Sequence, residues 1–291
     1  MKRSLILTAC ALILSSFGAK AQGEALVFTR TEISPVLQGT AGAAIAADNG
    51  PWNAFRGAAA GAYMDKKVSA GAGFRYFSGD LLFGGAAGLA LTDRMALYLG
   101  GVYNAGATVA DYRTNNMVLS AGFGFGITDA LSAGANLRYA RQSLTAENSY
   151  GGVSLDLSVR DRITDDIAVI AGVSTLGGKV ASVSGDSYPQ PAHVFVGADY
   201  ASEIEALGTL HIDAMGEYYF SRNYAAAAGL RLAFLEYFNL RAGYRYASSV
   251  CALPSYFAVG AGASVAGFNI DVTYMKYPSD SVVGLGVSYA F

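Results

Sequence analysis

Side chains able to do acid–base chemistry are few in this sequence. His193 and His211 are its only imidazoles. Asp213 and Glu217 follow His211 at even spacing, so an extended chain puts all three on one face. That grouping could move a proton, but no nucleophile stands beside it and no G-x-S-x-G turn occurs. His193 reads as a solvated residue at the edge of a loop. Two His and Cys251 do not make a metal site. Glycine runs such as FGGAAGLA fit small-residue packing and wall curvature rather than phosphate binding. The residues therefore predict no catalytic group, no metal, no cofactor and no enzyme activity.

Other charges recur at alternate positions of apolar stretches. They are Arg75, Arg138, Asp156, His211, Asp213, Glu217, Arg231, Arg241, Arg245 and Asp271, with Asn136, Asn239 and Asn269 among them. In a membrane wall a charge on the lipid face costs about 2–4 kcal/mol near mid-membrane, so these should face a lumen. Mixed signs on neighbouring segments predict an ion-paired interior that holds strands in register. A polar pathway or substrate clamp is the other reading.

The elements that position these charges are strands. The chain has 291 residues, 53% hydrophobic and 14% charged, with 36 Gly. Soluble domains carry about 25% charged residues. Past the N-terminus no apolar run is long enough for a membrane helix. Apolar residues instead alternate, as in MVLSAGFGFGI, LSAGANLRYA and FNIDVTY. This period-two pattern recurs in about fourteen segments, which is the signature of a transmembrane β-barrel. The spans are 67–77, 81–91, 95–104, 117–127, 131–141, 151–161, 167–176, 192–201, 208–219, 224–235, 238–247, 255–265, 268–276 and 282–291. The expected fold is all-β, a closed antiparallel outer-membrane barrel over 63–291. Its last stretch, VVGLGVSYAF, has Tyr289 and Phe291 on its apolar face. That ending is expected to act as the signal read by the barrel-assembly machinery.

Residues 1–21 form a basic start, an apolar stretch and Ala19-Lys20-Ala21, the pattern of a secretory signal peptide. Without Lys2, Arg3 and Lys20 the net charge is about −5, and no basic stripe offers a nucleic-acid site. Thr-Asp turns at Thr92-Asp93, Thr128-Asp129 and Thr164-Asp165 join alternate strand pairs. Longer connections are expected at 105–116, 142–150, 177–191 and 248–254. Short turns then face the periplasm, together with both ends of the mature chain. The expected location is the outer membrane, with its lipids as partners.

Residues 22–62 do not alternate and should lie in the barrel as a plug. Ser34-Pro35 looks like a helix N-cap and first helical position, opening VLQGTAGAAIAA. The stretch DNGPWNAFRGAAAGAYM follows, with Trp52, Asn53 and Phe55 as plug residues.

A Gly/Ala-rich opening, an Asp-containing turn and a Trp-Asn pair ahead of a barrel resemble the FadL-like outer-membrane family. The likeness is greatest to its PorV/PorQ branch, whose W-N-P-A element appears here as Trp52-Asn53-Ala54 without the Pro. GEYYF, LRAGYRY and the C-terminal AVGAGASVAGFNIDVTYMKYP and GLGVSYAF are similar to that branch's later strands. The resemblance implies a fourteen-stranded barrel with an N-terminal hatch. It implies a component or shuttle linked to type IX-like protein secretion or envelope assembly, partnered by a translocon or exported proteins. The alternative is a FadL-like transporter of small hydrophobic molecules, with a movable hatch and an apolar pocket near Trp52 and Phe55.

Overall fold

The computed structural model describes residues 24–47, 50–77, 80–109, 112–145, 149–181, 185, 187–205, 207–235, 237–249 and 251–291. The expected signal peptide lies outside them. The strands are β1 (Val68–Phe77), β2 (Asp80–Thr92), β3 (Met95–Val109), β4 (Tyr112–Gly126), β5 (Leu131–Ser143), β6 (Ser149–Arg162), β7 (Ile167–Gly177), β8 (Val180–Ala181), β9 (Ser187–Tyr188), β10 (His193–Ile204), β11 (Gly208–Tyr219), β12 (Tyr224–Phe234), β13 (Phe238–Ala247), β14 (Tyr256–Val265), β15 (Phe268–Lys276) and β16 (Ser281–Ala290). All of them except β8 and β9 close into one antiparallel barrel of fourteen strands, as the alternation predicts. β8 and β9 form a small ribbon in the connection from β7 to β10.

Closure joins β16 to β1. Ser69 faces Ala290 and Phe77 faces Val282 across that seam. Val68 and Phe291 exchange backbone hydrogen bonds of 3.0 and 2.9 Å. A closed barrel satisfies its strand backbones internally, which a lipid environment demands. The outer face fits such an environment. Leu99, Leu119, Leu137, Ile212, Leu230, Leu240, Ile270 and Leu285 are exposed there. Tyr76, Tyr103, Tyr218, Tyr244 and Tyr274 stand toward one rim, and Tyr237, Phe238, Phe268 and Phe291 toward the other. No described helix is long and apolar enough to cross a membrane.

The Thr-Asp turns work through the threonine. Thr92 Oγ1 accepts from Arg94 N (3.3 Å), Thr128 Oγ1 from Leu131 N (3.0 Å) and Thr164 Oγ1 from Ile167 N (3.1 Å). At the opposite rim the strands run further than the sequence indicated. The expected loop 105–116 is mostly strand, because β3 and β4 continue to Val109 and from Tyr112. Backbone pairing persists there across a bulge (Ala105 with Asn115, Thr108 with Arg113) although the side chains no longer alternate.

Ala25 N donates to Pro189 O (2.9 Å), in the long connection between β7 and β10. Tyr63 donates to Leu131 O (3.0 Å), at the short-turn rim. Residues 24–63 therefore thread the lumen from end to end. The first described residues lie near the long-loop rim, whereas Phe291 lies at the short-turn rim. The cause is that the upper plug packs Leu26 against Val118, Ala140 and Val180 near the long-loop rim.

Candidate functional site

The plug opens with a 3-10 turn (Val27–Arg30), and one short α-helix follows, α1 (Pro35–Gly39). Its cap is as expected: Leu37 N donates to Ser34 Oγ (3.5 Å) and Pro35 opens the helix. It does not continue through VLQGTAGAAIAA. Ala41 (φ 53°) and Gly42 (φ 87°) are left-handed, and Gly42 N closes the helix on Leu37 O (2.7 Å). Beyond it the plug has only two short 3-10 turns, Ala44–Ala46 and Gly50–Ala54, and irregular chain, so much of its backbone needs partners from elsewhere. The wall supplies them. Asn136 Nδ2 donates to Asn53 O (2.8 Å) and Ala54 O (2.6 Å), Ser132 Oγ to Ala59 O (2.7 Å), and Arg160 Nε to Ala46 O (2.7 Å).

Wall glycines let the plug come this close. A Cβ at Gly71 would lie 2.9 Å from the Trp52 ring, and one at Gly100 would press into Phe55. Gly243 receives the Thr40 backbone, and Gly134 the backbone of Ala58 and Ala59. Many of the inward glycines, read from sequence as packing and curvature, are thus seats for the plug. Trp52 and Phe55 stack with centroids 6.5 Å apart, both buried against β1 to β3.

The inward charges separate into three groups. Nearest the long-loop rim, Glu217 bonds Arg245 of the wall and Arg56 of the plug, the latter at 2.7 Å. Arg56 also pairs with Glu32 of the plug. Tyr219 donates to Glu217 Oε2 (2.5 Å), and Arg30 lies 3.8 Å from the centre of its ring. His193 is 3% exposed and within 3.4 Å of Arg56. It is therefore not the solvated edge residue expected from sequence; plug and wall close over it.

Beside that group, across one small space that Arg138, Ser174 and Thr175 also line, Asp156 Oδ1 pairs with Arg138 and accepts from Ser174 Oγ (2.9 Å) and Thr175 N (2.7 Å). Thr175 has φ 59°, unusual for a β-branched residue, and marks a register break between β6 and β7. The carboxylate holds that bulge in place.

Toward the short-turn rim, Arg231 binds Asp213 (2.7 Å) and Asp199 (2.7 Å), His211 binds Asp199 (3.0 Å), and Arg241 binds Asp271 (2.5 Å). Arg231 and Arg241 face each other across β12 and β13, each neutralised from its other side. His211, Asp213 and Glu217 share a face but not a cluster, because Glu217 belongs to the upper group. Arg75 stands apart and donates to the Tyr277 hydroxyl (3.1 Å). Glu32, Arg56 and Asp199 were not singled out in the sequence. The available signal was a pair of Arg, Arg30 and Arg56, in an otherwise small and apolar plug.

Among the described residues, spaces lie beside the plug at three places, the smallest, about 10 Å³, within the Arg56–Glu217 group. Another small one, about 30 Å³, is lined by Ile33, Trp52 and Phe55 of the plug and Leu82, Val102 and Val118 of the wall, and also by Glu32, Arg56 and Arg138. A polar one, about 350 Å³ and partly open, lies under the plug at the short-turn rim. Among the described residues no group of His, Cys, Asp or Glu could hold a metal ion.

No family model matches the chain, and no curated protein matches it in sequence. Solved structures match in fold. The CymD monoaromatic hydrocarbon channel aligns over 92% of this chain and 99% of its own, with 14% identity and a TM-score of 0.68. The P. putida toluene transporter TodX aligns over 89% and 98%, with 12% identity and a TM-score of 0.68. A Pseudomonas aeruginosa FadL homologue aligns over 89% and 98%, with 13% identity and a TM-score of 0.64. The fold is that of an outer-membrane β-barrel with the architecture of these channels.

Proposed function

We propose that this chain is an outer-membrane channel for small hydrophobic molecules, closed by residues 24–63. The observation that carries the reading is the space whose apolar side is formed by Trp52 and Phe55 and the wall residues Leu82, Val102 and Val118. It supports the reading because it offers a patch of apolar contact inside the lumen, beside the Arg56–Glu32 ion pair. The three structures named above are described as hydrocarbon channels or a FadL homologue, which favours the same class. At about 30 Å³ the space holds no more than a water-sized group, so entry of an aromatic hydrocarbon needs the plug to shift. The secretion-linked reading implied by the PorV/PorQ resemblance has no counterpart among those three.

Trp52 is the only Trp of the chain and reports on this space. Bromobenzene, a heavy-atom quencher, is expected to quench its fluorescence saturably. Val102→Phe, which fills the space, should abolish the saturable part. Quenching that is linear and identical in the variant would count against the reading.

A further inference from the structure

On its lipid side the wall is recessed between β2 and β6, over about 670 Å³. The floor is the cross-strand pair Gly85 and Gly101 with Ala121, and Leu99, Leu137 and Tyr139 stand around it. Ser120 and Arg138 also border it, but their side chains bond Ala54 and Asp156 inside the lumen. The two glycines are not seats for the plug. A Cβ at Gly85 would meet Gly71 O, and one at Gly101 would meet Leu119 and Val118 O, all wall atoms at 3.4 Å or more. Side chains would fit there, and their absence keeps the recess open to the hydrocarbon.

Charge lies above it. Arg141 is two residues beyond Tyr139 on β5, about 7 Å nearer the long-loop rim. It pairs with Met117, and Met117 with Tyr103 of the aromatic band, so it stands where headgroups begin. Arg113 lies four residues beyond Met117 on β4, about 14 Å further out. Both arginines are exposed, in the outward register of Leu119 and Leu137. Among the described residues neither makes an ion pair. Arg113 Nε donates to Gly106 O (3.1 Å), which leaves its terminal nitrogens for another partner. The described acids of β3 to β6 do not answer them. Asp156 is on Arg138 inside the lumen, and Asp161 is at the other end of β6.

An apolar slot under two unanswered guanidinium groups fits an anionic lipid. The separation of the two narrows the class. A phospholipid carries its phosphate at one depth, whereas a phosphorylated sugar headgroup carries anionic groups at several. The long-loop rim faces the outer leaflet in the orientation that the short turns imply.

We infer that this recess and its two arginines bind a phosphorylated glycolipid of the outer leaflet. An acyl chain lies in the recess, Arg141 meets the phosphate nearest the chains, and Arg113 meets an anionic group further out. The site is on the outside of the wall, so it stands independently of whether hydrophobic molecules cross the plug.

The test is native mass spectrometry of the full-length barrel, titrated in detergent with diphosphoryl lipid A and, separately, with dioleoylphosphatidylglycerol. Lipid A is expected to bind at the lower concentration. Arg141→Gln should weaken it about tenfold, the loss of one charge-assisted contact, and Arg141→Gln combined with Arg113→Gln should abolish it. Gly101→Leu, which fills the recess, should weaken it as well while the barrel keeps its heat-modifiable migration. Lys276→Gln removes an exposed cation on β15, away from the recess, and should change nothing. Equal or tighter binding of the phosphatidylglycerol overturns the inference. So does lipid A binding that the double arginine variant leaves unchanged, or that Lys276→Gln weakens as much as Arg141→Gln.

Discussion

Arg56, carried by the plug, and Glu217, carried by β11, meet in an ion pair of 2.7 Å that crosses from the plug to the wall. Both side chains are nearly out of solvent. The same carboxylate is held from the other side by Arg245, two strands away on β13. One wall residue thus fastens the plug and braces the barrel.

Arg56→Met should loosen the plug more than the barrel. It leaves Glu32 buried beside an apolar chain, while Glu217 keeps Arg245. Losing one partner of a buried pair costs about 3–5 kcal/mol. Limited proteolysis should cut within 24–63 sooner, while heat-modifiable migration on a gel persists.

Gly243→Val should displace the plug from its seat. A Cβ there would collide with the Thr40 backbone, whereas one at Gly216, on the opposite face of β11, meets nothing closer than 3.8 Å. Overpacking of this kind costs about 1–3 kcal/mol. A lowered thermal transition is expected for Gly243→Val and a near-native one for Gly216→Ala.

Asp156→Ala removes the acceptor for Arg138, Ser174 and Thr175 together. The bulge at Thr175 then keeps its left-handed backbone without support. A loss of about 3–5 kcal/mol is expected, larger than for Arg56→Met in barrel unfolding by urea.

Removing Phe291 takes away both backbone hydrogen bonds to Val68 at the closing seam. We expect less folded protein in the outer-membrane fraction than with Phe291→Tyr, measured by heat-modifiable migration. Equal amounts would argue against an assembly role for the terminal Phe.

The strands were legible because lipid outside and a packed lumen inside force each of them into strict alternation, as in Phe268–Lys276. Above the membrane that force lapses, and the upper ends of β3 and β4 were missed where Asn115 and Asn116 break the pattern. The plug was legible as a segment but not as a path. Its helix ends at Gly39 because the wall, not local propensity, decides where Thr40 to Gly42 lie. The wall charges were placed inward by the alternation. Their partners were not legible, since Glu217 chooses Arg56 and Arg245 over nearer charges only once the barrel has closed.

The most direct test of a hydrophobic channel is uptake of radiolabelled toluene by Gram-negative cells whose outer membrane lacks other hydrocarbon channels. Cells carrying the wild-type chain should take it up faster than cells with an empty vector. Val102→Phe should return uptake to the empty-vector rate, and Arg56→Met should not. Uptake equal to the empty vector, with the folded barrel present in the outer membrane, would contradict the account.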